Sequence, residues 1–144
     1  MSYTIKQVAD MMGVTTSTLR YYDSEGLLLD IKRKNGVRIF EDKDFKWLRV
    51  LNCLKNTNMP IKKIKEYVKL AKQGDSTLEK RYELIKEQKQ NILKEIEKYE
   101  NCLKEVEFKE WYYKTAIKHG TEKDMDKYVS NKPTLDIDKI PNNN

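Results

Sequence analysis

Residues 4–28 read TIKQVADMMGVTTSTLRYYDSEGLL and contain two short helical patterns joined by a glycine turn. Thr4 and Gln7 fit a capping box at the start of the first helix, and Gly13 supplies a stop after it. The hydroxyl residues 15–18 can cap a second helix and line its first turn. Two short helices joined in this way predict a helix-turn-helix, whose second helix enters the major groove of DNA.

The second helix carries side chains that we expect to meet DNA. Leu19 is expected to face the core, while hydroxyl, cationic and phenolic groups occupy the rest of the helix. For Tyr22 two interpretations stay open, a DNA contact and a half-buried core residue. The candidate DNA-binding residues of this helix are Thr16, Ser17, Arg20, Tyr21 and Tyr22.

A β-hairpin wing is predicted directly after this helix. Asn35-Gly36 lies between two β-prone segments, residues 27–31 and 37–40, and Asn-Gly is a strong signal for a tight hairpin turn. Basic side chains at its tip would reach phosphates beside the recognition helix, or would only keep an edge strand soluble. The neighbouring helix-turn-helix favours the wing. Its candidate DNA-binding residues are Lys32, Arg33, Lys34 and Arg38.

Two further helices are predicted over residues 41–57 and 61–73, with Pro60 at the first position of the second. From Leu78 onward a seven-residue repeat continues for about 40 residues, which is typical of a coiled coil. So long a stripe is expected to pair with a second copy of the chain, although packing within the monomer is the alternative. The predicted dimerisation residues are Leu78, Tyr82, Ile85, Ile92, Ile96, Tyr99, Leu103 and Val106.

Charge is distributed unevenly along the 144 residues. The net charge of +6 comes from about +7 on residues 1–73, zero on residues 74–120 and −1 on residues 121–144. A basic module followed by a charge-balanced helix is typical of a nucleic-acid reader joined to a self-association element. We therefore predict a DNA-binding domain at 1–73, a coiled-coil dimerisation helix at 74–118 and a largely disordered tail at 119–144.

Composition excludes several classes of protein. With one histidine, no glycine-rich phosphate loop and no metal-ligand spacing, the sequence predicts no enzyme, no metal site and no cofactor. No signal peptide and no apolar run long enough for a bilayer are present, so we expect a cytoplasmic protein that does not contact the membrane. Two cysteines exclude a disulfide framework.

Three stretches together resemble the MerR family of bacterial transcription regulators: the helix-turn-helix with LRYYDSEGLL, the wing with NGVRIF, and LRVLNCLKNTNMPIKKIKEYV. The pair LNCLKNTNM and AKQGDSTLEKRYELIKEQ is similar to the aldehyde-stress (AdhR/NmlR-like) subgroup. The resemblance implies a winged helix-turn-helix. Together with the seven-residue repeat, and with Lys89 and Glu110 placed to pair across an antiparallel dimer, it predicts a mainly α fold that continues into a long antiparallel coiled-coil helix. It further implies a homodimer that binds a palindrome in double-stranded promoter DNA and twists an overlong spacer, acting on RNA polymerase through the DNA. Pro60 departs from the Ser or Thr cap that members often have.

Two effector mechanisms are left open. Cys53 matches the cysteine that is a suspected thiol switch in the subgroup, and Arg49 one turn earlier would favour its thiolate, although Cys53 could be a plain core residue. Alternatively, aromatic residues near the end of the coiled coil could bind an aromatic or cationic small molecule. Outside this family, a different class is also open: an interaction protein whose basic half coats nucleic acid without sequence choice.

Overall fold

The computed structural model describes residues 1–123, 125, 127 and 128, and the described chain is mainly helical with one small antiparallel sheet. Its elements in chain order are β1 (Ser2–Tyr3), α1 (Ile5–Met12), α2 (Thr16–Ser24), β2 (Lys32–Lys34), β3 (Val37–Glu41), α3 (Asp42–Asn56), α4 (Ile61–Gln73), a 3-10 helix (Asp75–Thr77) and α5 (Leu78–His119). The predicted helix-turn-helix, small wing and long C-terminal helix are confirmed.

Local hydrogen bonds explain where α1 and α2 begin. The Gln7 backbone N–H donates to Thr4 Oγ1 at 3.3 Å while the Thr4 N–H donates to Gln7 Oε1 at 2.9 Å, which completes the predicted capping box. Gly13 ends α1 in the left-handed conformation, with φ of 67°. The Thr18 N–H then donates to Thr15 Oγ1 at 3.1 Å and caps α2. The turn between the two helices is therefore set by its own sequence.

A single core holds the N-terminal helices and the sheet together. Tyr3 packs edge-on against Phe45 with ring centroids 5.0 Å apart, and Trp47 stacks on Tyr67 at 5.5 Å. The Trp47 indole N–H donates to the Leu27 carbonyl at 2.8 Å, so this polar atom is satisfied. The side chains that are fully buried at the centre are Val8, Leu19, Tyr22, Leu27, Phe40, Leu48, Leu51 and Val68.

The sheet differs from the prediction in two respects. Its strand order is β1-β3-β2, and β1, which pairs with β3 through Ser2↔Glu41, was missed because two residues carry no periodicity. The predicted strand at residues 27–31 is wrong, since Leu27 and Leu28 are buried in the core and Asp30 has a φ of 31°. This segment bends and cannot pair as a strand.

The break between α3 and α4 lies where the sequence predicts it. Asn58 adopts a positive φ of 64° and Met59 is buried, so the chain reverses direction before α4. Pro60, predicted at the first helical position, is instead the residue that precedes the helix, with ψ of 139°. This conformation is extended, and Ile61 therefore begins α4.

The chain divides into two compact units, Met1–Lys89 and Gln90–Asn144, so that the boundary falls inside α5. At 1.5 Å per residue, the 42 residues of α5 extend about 60 Å. In the second unit, the His119 and Tyr128 rings stack at 4.3 Å and Met125 is buried. The tail predicted to be disordered lies otherwise outside the described residues.

Candidate nucleic-acid interface

Helix α2 is amphipathic in the way a recognition helix requires. Leu19 is fully buried against the core and fixes which side of the helix faces away. On the opposite side Ser17 and Arg20 are exposed, the Tyr21 ring is 41% exposed, and Thr16 is half-buried. A hydroxyl, a guanidinium and a phenol on one accessible face can contact both base edges and phosphates.

Tyr22 is the predicted DNA-binding residue that the structure corrects. Its side chain is only 1% exposed, and its hydroxyl donates to Asn52 Oδ1 at 3.3 Å. Burial raises the pKa of the Tyr22 phenol, with Tyr21 as a smaller cause. Because the ring is enclosed by the core, the core interpretation is correct and the DNA contact at Tyr22 is wrong.

Lys55 of α3 lies against both tyrosines. Its Nζ is 5.3 Å from the centroid of the Tyr21 ring and 5.4 Å from that of Tyr22, within the range of a cation–π contact. The contact places a positive charge beside the exposed Tyr21 on the recognition face. Sequence reasoning missed Lys55, since nothing in the α3 pattern indicates that it reaches α2.

The wing is built from β2 and β3 around an Asn35-Gly36 turn. Both turn residues have positive φ, 52° and 77°, as a two-residue hairpin turn requires. The register pairs Arg33 with Arg38 and Lys34 with Val37, so Lys32–Lys34 form the strand and not the tip. The prediction of a basic tip is therefore corrected to a basic strand, which places its cations along the wing.

Asp23, in the last turn of α2, connects the recognition helix to the wing. Its Oδ2 accepts hydrogen bonds from Arg33 NH2 at 2.8 Å and from Arg38 Nε at 2.6 Å, and Arg38 NH2 contacts the same oxygen. The Asp23 and Arg38 side chains are 23% and 25% exposed, whereas that of Arg33 is 46% exposed. One carboxylate therefore orients both predicted wing arginines. No sequence signal distinguished Asp23 from any solvated acid at a helix end.

Lys32 is also held by a partner within the wing. Its Nζ lies 2.5 Å from Glu41 Oε1, at the end of β3. This hydrogen bond lowers the pKa of the Glu41 carboxyl and raises that of the Lys32 ammonium. Lys34 is exposed beside the turn. Lys32 and Arg33 are 64% and 46% exposed although each is paired, so they and Lys34 are more accessible to a phosphate than Arg38, which is 25% exposed.

The predicted dimerisation stripe on α5 is exposed along most of its length. Tyr99 is 73% exposed, Val106 63% and Leu103 56%. Leu78, Tyr82, Ile85 and Ile96 are also exposed, while Ile92 is half-buried. Packing within the monomer, the alternative for this stripe, does not account for so many exposed apolar side chains.

Both cysteines, Cys53 and Cys102, are exposed free thiols. The interpretation of Cys53 as a core residue is therefore wrong, because its side chain lies on the outer side of α3.

Near the end of α5, the rings of Phe108 and Trp111 stack at 5.8 Å and Lys109 Nζ is 4.7 Å from the Tyr112 centroid. These aromatic residues thus already contact one another and a cation.

Within the described ranges, no group of three or more His, Cys, Asp or Glu side chains is arranged to hold a metal ion. Over the same residues, none of the helices has an apolar stretch sufficient to cross a bilayer.

Comparison with known proteins gives a consistent result. Residues 3–71 match the model of the MerR HTH family regulatory proteins. An uncharacterized HTH-type transcriptional regulator of Haemophilus influenzae is 40% identical over 124 residues, 85% of this chain and 92% of that protein. The HTH-type transcriptional regulator AdhR of Bacillus subtilis is 37% identical over 90 residues, 62% of this chain and 64% of AdhR. Among solved structures, this chain is similar to the crystal structure of HiNmlR, a MerR family regulator lacking the sensor domain, bound to promoter DNA. The two sequences are 40% identical, the TM-score is 0.79, and the match covers 85% of this chain and 98% of HiNmlR.

Proposed function

Because the chain belongs to the MerR family, in its AdhR/NmlR-like subgroup, we propose that it is a homodimeric transcription regulator that binds a palindromic promoter site. The observation that carries the proposal is the exposed face of α2, with Ser17, Arg20 and Tyr21, beside a wing whose arginines are oriented by Asp23. HiNmlR, which is bound to promoter DNA, supports the same role. On this proposal residues 1–73 read DNA, and the protein acts in the cytoplasm without enzymatic activity.

DNA selection followed by footprinting tests this proposal. Purified full-length protein is incubated with random duplexes, bound sequences are recovered, and the best of them is footprinted. We expect one protected palindrome whose affinity falls steeply with salt, as phosphate contacts require. Uniform coverage of all sequences would instead favour an interaction protein that only coats nucleic acid.

Arg20→Ala gives a sharper test of the recognition face. Loss of a base contact is expected to cost about 1–3 kcal/mol and to relax specificity at one position in each half-site, whereas loss of a phosphate contact lowers the salt slope by about 1. Lys98→Ala, an exposed change of the same charge on α5, is the matched control. Equal affinities for the two variants would contradict the role of α2.

Dimerisation through α5 is proposed from the exposed stripe. An isolated helix would leave Tyr99, Leu103 and Val106 in water, whereas a second copy would cover them. Lys89 and Glu110 interrupt the stripe 21 residues apart and would pair across an antiparallel dimer centred near Tyr99. The two recognition helices would then be related by a two-fold axis, as a palindrome requires. A dimer of this kind could twist the promoter so that RNA polymerase engages both of its elements.

Cys53 is proposed as the sensor of electrophiles such as aldehydes. Its thiol is exposed, so a reagent can reach it, and it lies on α3 between the recognition helix and the start of α5. Addition to an aldehyde forms a sulfur–carbon bond and moves the thiol proton to the carbonyl oxygen, giving a hemithioacetal. The added group would change the size and polarity of the outer side of α3 and thereby alter the DNA complex.

Run-off transcription with and without formaldehyde tests the sensor. Cys53→Ser should bind the operator as the wild type does and lose the response, while Cys102→Ser should keep it. A full response in Cys53→Ser would refute the thiol mechanism. If an aromatic cation then changed transcription and substitution of Trp111 abolished that change, the aromatic end of α5 would be the effector site instead.

A further inference from the structure

A buried glutamine fastens the start of α5 to the end of α3. The Gln88 side chain is 5% exposed, although most of its neighbours on α5 are exposed. Its Nε2 donates to Thr57 Oγ1 at 2.8 Å and to the Thr57 carbonyl at 3.2 Å. A buried amide costs free energy unless it is hydrogen-bonded, so this position strongly favours the geometry in which both bonds form.

Thr57 is itself held in one orientation. It is the C-cap residue that follows α3, and its hydroxyl donates to the Cys53 carbonyl at 2.7 Å while its backbone N–H donates to the same carbonyl at 3.0 Å. The hydroxyl proton is therefore directed into α3 and its lone pairs toward Gln88. Hydrogen bonds linked in this way reinforce one another, so Gln88 is bound to the end of a rigid helix.

A second group of hydrogen bonds holds the beginning of α5. Thr77 Oγ1 donates to the Leu70 carbonyl at 2.6 Å, and Arg81 donates to Thr77 Oγ1 at 3.0 Å and to the Gly74 carbonyl at 2.9 Å. Gln88 follows Leu78 by ten residues, or about 15 Å along the helix. Two attachments this far apart determine the direction of the first three turns of α5, because one alone would permit a pivot.

The exposed ion pair beside this contact is a weaker restraint. Lys63 Nζ lies 2.7 Å from Glu87 Oε1, but the two side chains are 41% and 54% exposed. Exposed pairs of this kind contribute little, since solvent and salt screen them. The pair nevertheless gives a matched control, because it joins α4 to the residue next to Gln88.

We propose that the Gln88–Thr57 contact sets the direction in which α5 leaves the DNA-binding unit, and thereby selects the spacing between the two operator half-sites. This inference rests on the proposed function, a homodimer on a palindrome. Gln88 is a positioning residue, since it acts through α5 and does not touch DNA. Without the contact, the start of α5 pivots about the Thr77 attachment and the dimer accepts several spacings with similar affinity.

A series of operators tests the proposal. The selected palindrome is prepared with its native centre and with the centre shortened by one base pair or lengthened by one or two. Affinities of the full-length wild type, Gln88→Leu, Thr57→Val, Thr57→Ser and Lys63→Gln are measured for each operator. We expect Gln88→Leu to reduce the preference for the native spacing over the next spacing by about tenfold, the factor expected from losing buried hydrogen bonds.

The other variants separate positioning from general destabilisation. Thr57→Val should reduce the preference less, because the carbonyl acceptor remains, while Thr57→Ser and Lys63→Gln should retain it. An unchanged preference in Gln88→Leu overturns the proposal, and so does an equal loss of affinity at every spacing, which would indicate a merely structural role. If the wild type itself shows no preferred palindrome, the proposed function fails and this inference fails with it.

Discussion

Replacing Asp23 by asparagine is expected to loosen the wing from the recognition helix. The Asp23 carboxylate accepts from two guanidiniums, at 2.8 Å from Arg33 and 2.6 Å from Arg38. Hydrogen bonds to charged groups contribute about 1.5–3 kcal/mol when shielded, and exposed pairs about 0–1 kcal/mol. The Arg38 pair is about three-quarters shielded, the Arg33 pair is more exposed, and asparagine still accepts one bond. We therefore expect a loss of about 1–2 kcal/mol in the free energy of unfolding.

Urea and thermal unfolding at one fixed protein concentration measure this loss. For a domain of this size it corresponds to a decrease of about 3–8 °C in Tm. Glu25→Gln is the control, since it removes a carboxylate at the end of the same helix. The Glu25 carboxylate pairs with Lys65 at 2.5 Å, and this pair is more exposed than the Asp23–Arg38 pair. The control should change stability by less than about 0.5 kcal/mol. A difference between the two variants below about 0.3 kcal/mol would refute the argument.

The same variant should alter DNA binding in a defined way. Without Asp23, Arg33 and Arg38 are free to contact any phosphate, and a negative charge close to the DNA is removed. Affinity for random duplexes should then rise while the ratio of palindrome to random affinity falls. An unchanged ratio would show that the wing needs no orientation by Asp23.

Three further predictions follow from particular contacts. Lys32→Met should move the pKa of the Glu41 carboxyl back up toward its ordinary value, as followed by NMR. Because the pairing lowers that pKa, the stabilisation it gives is present at pH values above the ordinary pKa of a glutamate and is lost as the pH falls through the lowered pKa. Tyr22→Phe should cost about 0.5–1.5 kcal/mol in unfolding experiments without changing operator affinity, and a loss of affinity alone would contradict the burial of Tyr22. Leu103→Glu should weaken the dimer at least about 100-fold in sedimentation equilibrium, because each copy would bury a charge, whereas Lys104→Glu, beside the stripe, should have a much smaller effect.

Local signals account for what could be predicted from the sequence. Thr4, Gln7 and Gly13 determine both ends of α1, and Thr15 determines the start of α2. Their hydrogen bonds span three or four residues, so sequence spacing is enough to find them. The Asn35-Gly36 turn is equally local, since only its own φ values matter. The heptad repeat of α5 can be recognised for the same reason, and the apolar side chains at its positions are largely exposed.

The errors at Tyr22, at Cys53 and at residues 27–31 concern contacts between distant residues. Whether Tyr22 contacts DNA or packs in the core depends on its contact with Asn52, which lies 30 residues away in the sequence. Whether Cys53 is exposed depends on which side of α3 faces the core. The 27–31 segment has β-prone residues, but Leu27 and Leu28 are buried in the core and Asp30 has a φ of 31°, which interrupts an extended strand. The spacing of apolar residues in the sequence does not show whether such a residue lies in a strand, in the core or at a binding surface.

The sequence by itself determined the helix-turn-helix, the hairpin turn, the long amphipathic helix and the excess of basic residues in the first 73 positions, because these follow from neighbours along the chain. Only the tertiary structure decided which cations face outward, that Asp23 holds Arg33 and Arg38, and that Gln88 reaches Thr57 across 31 residues. The physical reason is that a charge or an amide has many partners within reach of an unfolded chain. In the folded protein the packing of the core fixes the position of each backbone segment, so only a few of these possible partners remain within hydrogen-bonding distance.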